Sequence, residues 1–477
     1  MWNRIEKFLL CFKGQFSRIA AFKWFSVIVL GFMLRTEKLG ITSVLRALSI
    51  DPRNYESIMH FFRADSWNLQ GIQKCWYETV ARYIPLFKVE KRMIIVGDGT
   101  KQSKEGRYMP CVKRLAQESE TQSKPEFIHG HMWGGVGVLA GKVKRFFCVP
   151  LSLKIHDGLQ ILSDWKGVDS ASHVVQMIRD GCCAANNMHQ NALFLLDRYF
   201  LSVPALRELL RNNMKNPYKV EIITRLKKAA IAYEPAPTRV PGQRGRTRKK
   251  GNKVKLMDLF QSQNDQFKTQ KLRLYDKKRN IRYYCLDLLW GQGLYQKLRF
   301  VLVEFDGTQS ILVSSDLTLD PLTIIQLYSY RSRIENMFRE LKQQIGGFCY
   351  HFWTKAMPKL NHFKRKTDPD PLSQVEQLSH RKRIMQTVRA TEMYALMASI
   401  SMGILQALSI DFSNGVFKVP LRYQRTPAKR APSEANIMFC LRQRIFSLLA
   451  QHAENEIPRL ILSAQIDDTT SSFDNAA

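Results

Sequence analysis

The spacing of apolar residues changes character several times along the chain. Residues 1–85 carry apolar side chains at i, i+3, i+4 intervals, as in ITSVLRALSI and YESIMHFFRADSWNLQGIQKCWYETVARYI, with a break at Pro52. That period predicts short helices joined by tight turns. The period then switches. Met93–Val96 is a short apolar run bounded by basic residues and by Gly97 and Gly99, which predicts a buried strand ending at Asp98 and followed by a polar, basic loop. FIHGHMWGGVGVLAG and VKRFFCVPLSLKI read as two more strands with glycine punctuation, and SHVVQMIRDGCCA as a helix within 170–190. Ala192–Leu196 repeats the first device: an apolar run ending at Asp197. The next helix, SVPALRELLRNN, has its own cap signal in Ser202 with Pro204, so Asp197 is not needed to start it.

Residues 218–318 continue as strands: VEIITRL, AAIAYEP, KTQKLRLYDKKRNIRYYCLDLLW, LRFVLVEFD and SILVSSD. Between them lies TRVPGQRGRTRKKGNKVK, a glycine-punctuated loop with no acidic residue, carrying Arg244, Arg246, Arg248, Lys249 and Lys250. Phosphate contact accounts for such a loop; a solvated loop has the same composition. Aromatic and basic residues then interleave in FCYHFWTKAMPKLNHFKRK, a pattern suited to nucleic acid. Helices are predicted over 380–409 and 433–453, and a disordered acidic tail closes the chain. The domain reading is a helical, DNA-binding region over 1–88, a core over 89–217 and 319–365, a β-rich insertion over 218–318, a helical region over 366–465 and the tail over 466–477.

One stretch organises the rest. DPLTIIQLYSYRSRIENMFRELKQQIGG, 320–347, predicts a single long helix, capped by Asp320 with Pro321 and stopped by Gly346 and Gly347. At about 100° per residue, Tyr328, Arg331, Glu335 and Lys342 fall within an arc of roughly 60°. Leu327, Ile334, Phe338, Leu341 and Ile345 form an adjacent core-facing stripe. One carboxylate among cations suits a bound metal and a polyanion; a solvated face of i,i+4 pairs gives the same spacing.

Charge narrows the partner. The 477 residues carry a formal net charge of +32, with pI near 9.9, while 45% hydrophobic content indicates a folded chain. That excess points to a polyanion, most simply DNA. The nine cysteines include no C-x-x-C pair and read as reduced thiols of a cytoplasmic protein. The apolar run Trp24–Leu34 is too short to span a bilayer and reads as a buried helix, so no membrane role is expected. His129, His131 and His156 read as structural rather than metal-ligating.

Asp98, Asp197 and Glu335 then stand out as three carboxylates, two at predicted strand ends and one on the helix. Hard oxygen donors select Mg²⁺ or Mn²⁺, and two such ions stabilise both the attacking and the leaving oxygen of a phosphoryl displacement.

With these residues in place, the sequence resembles the DDE transposases of the insertion-sequence-four family. Tyr328, Arg331, Glu335 and Lys342 match the family's Y-x2-R-x3-E-x6-K signature; GDGTK at 97–101 and LLDRYF at 195–200 resemble its two Asp motifs. KEGRYMP, Gly130–His131, FWTKAMPKL and PSE at 432–434 are similar to the same group, and the likeness spans roughly residues 40–450. The resemblance implies an α/β, RNase H-like and retroviral-integrase-like mixed sheet with flanking helices. It implies Asp98, Asp197 and Glu335 as catalytic ligands of two Mg²⁺ or Mn²⁺ ions, and Tyr328, Arg331 and Lys342 as holders of terminal phosphates. Trp290, in LLWGQG, becomes a candidate to hold a flipped base, or else a core tryptophan. The implied activity is cleavage at terminal inverted repeats and joining of the 3′-OH ends to target DNA, by a homodimer assembled on DNA and associated with a bacterial nucleoid. A catalytically inactive DNA-binding derivative and a general RNase H-like nuclease are the alternatives.

Overall fold

The computed structural model describes residues 1–37, 40–117, 125–142, 145–239, 246–275, 277–361, 363, 369–412 and 432–466. Arg244 of the basic loop and the acidic tail from Asp467 lie outside the described residues. The strands in chain order are β1 (Lys88–Val89), β2 (Arg92–Ser103), β3 (Lys113–Ala116), β4 (Phe127–Lys142), β5 (Arg145–Ile155), β6 (Ala192–Leu196) and β7 (Val220–Arg225). They continue as β8 (Ile231–Tyr233), β9 (Lys253–Lys255), β10 (Lys268–Leu274), β11 (Lys277–Trp290), β12 (Gln296–Phe305) and β13 (Thr308–Ser314).

All join one 13-stranded sheet, ordered β3-β4-β2-β6-β7-β13-β12-β11-β8-β9, with β5 on β4, β1 on β2 and β10 on β11. Only β2–β6 and β6–β7 are parallel. Helices flank this open, mostly antiparallel sheet, which is the mixed α/β arrangement of an RNase H-like fold. β6 shows why its sequence is unbroken Ala-Leu-Phe-Leu-Leu: it has a parallel neighbour on each side, and all five residues are buried. The strands of 218–318 are continuous with the core. β7 pairs with β6, and β13 returns antiparallel to β7.

One boundary differs from expectation. β2 does not end at Asp98 but runs on to Ser103. Its two edges stop at different places. The parallel edge ends with Gly97 opposite Leu196, whereas the antiparallel edge continues from Asp98 opposite Gly135 to Ser103 opposite Gly130. The sequence run Met93–Val96 marks only the doubly covered part.

The helices of the two chain ends form one packed layer. Ile19–Leu34 is apolar on nearly every face and packs against Leu378–Asp411, Glu434–Gln451 and Glu456–Leu462. Leu378–Asp411 is long and apolar enough to cross a membrane, yet 94% of its apolar window is buried inside the protein. It lies along β5, and Gly403 admits the Trp76 ring, which would sit 2.4 Å from an added Cβ. Trp76 in turn donates to the Pro150 carbonyl of β5 at 2.8 Å.

The 320–347 stretch is capped as expected: Asp320 accepts from the Thr323 N–H at 2.9 Å, and Gly346 has φ 67°. It is not one helix, however. Pro321–Ser329 and Arg333–Glu340 are α-helical, Tyr330–Ser332 is a 3₁₀ turn and Leu341–Ile345 is π-helical. Two serines flank the tight turn. Ser329 Oγ donates back to the Gln326 carbonyl at 2.6 Å and Ser332 Oγ to the Ser329 carbonyl at 3.4 Å, competing with the main-chain ladder.

Candidate active site

β2 and β6 build the floor. Because Gly97 pairs with Leu196, Asp98 and Asp197 emerge side by side where the parallel pairing stops. The alternation of side chains fixes their face. Gly97 and Gly99 turn toward the Met177 and His173 side, where an added Cβ would meet Met177 Sδ and His173 Nε2 at 2.8 Å each. Asp98 therefore turns the other way. Its cross-strand partner Gly135 lies under the Phe338 ring of Arg333–Glu340. The helical stretch thus covers the face that carries the aspartates.

Arg331 links the acids. Its Nη1 donates to Asp98 Oδ2 at 3.1 Å and its Nη2 to Glu335 Oε1 at 2.6 Å, with 18% of its side chain exposed. Burial raises the Asp98 pKa; Arg331 and the Gly99 N–H pull it down and Asp197 pushes it up, for a net rise above the ordinary carboxylate value. For Arg331, burial opposes the charge, but Asp98, Tyr328, Asp197 and Glu335 overcome it and raise its pKa. Burial also lifts the Tyr328 phenol to about 12, against the pull of Arg331 and Arg225. Lys342 reaches back across the floor, donating to Thr100 Oγ1 at 2.7 Å and to the Lys101 carbonyl at 3.2 Å.

So the structure joins Asp98, Arg331 and Glu335, sets Asp197 beside them in the sheet, and places Tyr328 and Lys342 at the two ends of the same face. Among the described residues it does not gather three or more of His, Cys, Asp and Glu into one metal-ligating group. The donor chemistry nevertheless suits a hard divalent cation: the acids are all oxygen donors, and one positive charge already lies between two of them.

The outlying candidates have other surroundings. Arg246, Arg248 and Lys249 are exposed, whereas Lys250 is half-buried, its ammonium 3.7 Å over the Tyr233 ring and 5.1 Å from that of Tyr295. Trp290 is half-buried at the end of β11, paired with Gln296 across the hairpin. The hairpin tip leans on the helix after Asp197, where an added Cβ on Gly291 would meet Val203 at 3.1 Å. His131 is structural, bonded to the Tyr350 hydroxyl at 2.5 Å and to the Pro110 carbonyl at 2.7 Å.

Two features behind the floor have no period of their own in the sequence. His156 pairs with His173 at 2.9 Å and with Asp180 at 2.8 Å, and Lys154 completes the group on Asp180 at 2.5 Å. The signal for this pair is glycine. Gly99 and Gly134 face each other across β2 and β4, and the two imidazoles fill the space their missing side chains leave. The second feature is Arg35, 1% exposed. It donates to the Ile345 carbonyl at 2.6 Å, the Gly346 carbonyl at 3.0 Å and the Tyr394 hydroxyl at 3.2 Å. It thereby fastens the end of the 320–347 stretch to the amino-terminal helices, and nothing in its local sequence distinguishes it from the exposed arginines.

No curated protein matches this sequence. Residues 168–351 match the family model described as the Transposase DDE domain, a span that holds Asp197, the insertion strands, Glu335 and Lys342 and begins after Asp98. Asp98 on β2, Asp197 just past the end of β6 and a helix-borne Glu335, together with that match, support a DDE transposase, a DNA-cleaving enzyme.

Proposed function

We propose that this chain is a transposase of the insertion-sequence-four type, which binds the terminal inverted repeats of its element, cuts DNA there and joins the 3′-OH ends to target DNA. The observation that carries the reading is the register Gly97–Leu196, which sets Asp98 beside Asp197, combined with Arg331 spanning Asp98 and Glu335. Asp98, Asp197 and Glu335 would hold two Mg²⁺ or Mn²⁺ ions. When bound, such ions polarise the phosphoryl oxygens and stabilise the attacking and leaving oxygens.

The chain's own residues do the positioning. Arg331 presents a planar donor fork at the floor, suited to two oxygens of one phosphate. Tyr328 stays a neutral phenol at physiological pH and so keeps an O–H to donate to a phosphate oxygen. Lys342 adds a point charge on the opposite side of Glu335. These three read as the phosphate-holding part of the Y-R-E-K signature, since phosphate contacts set register while the acids do chemistry. The exposed Arg246, Arg248 and Lys249 extend the cationic surface to flanking DNA, as do the helices of residues 1–88. Two ends must be joined, so the working form is a homodimer on DNA.

The test is incubation of the purified chain with a labelled fragment carrying one element end and Mg²⁺. Nicking at the repeat boundary that Glu335→Gln abolishes, with end binding retained, is the expected result. Binding without cleavage by the unaltered chain points to an inactive derivative, and degradation of unrelated DNA to a general nuclease.

A further inference from the structure

The chain leaves the catalytic stretch at Gly347 as an extended strap over residues 348–355, and the strap has two faces. Phe348 and Tyr350 are buried, and Phe352 is half-buried with its ring 4.8 Å from that of Phe62. Lys104 pins this inner edge, donating to the Phe348 carbonyl at 2.7 Å and the Tyr350 carbonyl at 2.8 Å. Extended backbone alternates its side chains. The residues between, His351 and Trp353, consequently face outward, and Trp353 is 56% exposed.

That outer edge is one wall of a cleft of about 770 Å³. The other walls are Tyr55–Arg63 and the start of Leu378–Asp411, which supply Tyr55, Arg63 and Arg383; the strap adds Trp353, Lys355 and His351. No Asp or Glu is among its described lining residues. Arg63, Lys355 and Arg383 are all exposed, and none forms an ion pair with another described residue. The neighbouring cleft beside Arg18 and His60 shares Arg63 with it but has Glu56 and Asp65 among its lining residues. A lone exposed tryptophan needs no explanation. An exposed indole that shares a cleft with three exposed cations, on a strap pinned from behind, has the chemistry of an anion site with a stacking platform.

We infer that this cleft binds single-stranded DNA, with an unpaired base stacked on Trp353 and the adjoining phosphates on Arg63, Lys355 and Arg383. The choice of an unpaired strand follows from the indole, which needs an open base face that a duplex does not offer. The strap begins at Phe348, six residues after Lys342, and on the transposase reading the strand it holds is part of the DNA being processed. The inference rests on the transposase reading for the source of that strand, and on the cleft alone for the binding.

The experiment uses the full chain in chelator, so that no cleavage intervenes. Fluorescence anisotropy compares a labelled single strand of mixed sequence with the same sequence as a duplex. Trp353→Ala is expected to weaken single-strand binding about tenfold and duplex binding less than about twofold, while Trp353→Phe restores most of the single-strand affinity. Arg383→Ala is expected to lower the slope of log affinity against log salt for the single strand by about 0.7. Unchanged single-strand affinity in Trp353→Ala overturns the inference, and so does an equal loss for single strand and duplex. Failure of the unaltered chain to nick an element end bears on the transposase reading alone and leaves this binding contrast intact.

Discussion

Two arginines hold the 320–347 stretch, Arg331 from within it and Arg35 at its carboxyl end, and their partners differ in kind. Arg35 is fully enclosed and, among the described residues, bonds to neutral oxygens: the carbonyls of Gly40, Ile345 and Gly346 and the hydroxyls of Ser43 and Tyr394. Arg331 is partly exposed and bonds to two side-chain carboxylates. The first arrangement places an enclosed guanidinium on main-chain acceptors, with two of its nitrogens on the Ile345 carbonyl, so it cannot open without cost. The second joins groups that could each be served by another charge. A buried arginine with backbone partners is a fastener; a half-buried one with ionised partners is a contact that can be exchanged.

Substitutions can break this contrast. The largest effect is expected at Glu335→Gln: end cleavage falls by about three orders of magnitude or more, while melting temperature and end binding stay near those of the unaltered chain. Loss of end binding in that variant would mean that the carboxylate supports structure instead. Arg35→Met is expected to cost about 3–5 kcal/mol of stability, read by urea titration, because it strips the enclosed Ile345 carbonyl of both its guanidinium donors and breaks the bonds to Gly346 and Tyr394. Arg331→Ala is expected to do the reverse, leaving stability within about 1 kcal/mol and lowering cleavage about a hundredfold through lost phosphate orientation. A large stability loss in Arg331→Ala would erase the distinction between the two residues.

Smaller effects test the same division. His131 and His173 have pKa values pushed down from 6.5 to about 4, first by burial; the His131 imidazole is also opposed by Lys104 and that of His173 by His156. The folded chain refuses protons that the unfolded chain accepts. Stability is therefore fully present above pH 6.5 and declines as pH falls toward about 4. Melting temperature against pH should show this decline, and His131→Asn should reduce its slope by about one proton. The smallest effect is expected at Lys342→Ala, where the salt slope of end binding should drop by about one unit with little change in stability.

The sheet and the site were legible to different depths. Where burial is two-sided, as in Ala192–Leu196, the apolar run matches the strand residue for residue. Where only one edge is covered, as beyond Asp98 in β2, pairing with β4 extends the strand through Gly-Thr-Lys-Gln-Ser, a sequence that looks like loop. The caps on either side of the catalytic stretch were readable because Asp320 and Gly346 act on their own neighbours. Its internal break was not, because ordinary residues with serine hydroxyls decide it. The exposed Trp353 was visible only as part of an aromatic and basic run. Its role as one wall of a cleft depends on Tyr55–Arg63 and Arg383, which are distant in sequence.

The chain by itself determined which residue types could do the chemistry. Three carboxylates, a Tyr–Arg–Lys face and a strongly basic surface are local or additive properties, and helical and strand periods assign them to elements. Tertiary structure alone decided that Asp98 and Asp197 lie side by side, that Arg331 spans Asp98 and Glu335, and that Arg35 rather than any other arginine is enclosed. These are facts of strand register and of packing between segments hundreds of residues apart, where contact depends on the positions of both partners and the sequence around either one carries no trace of the other.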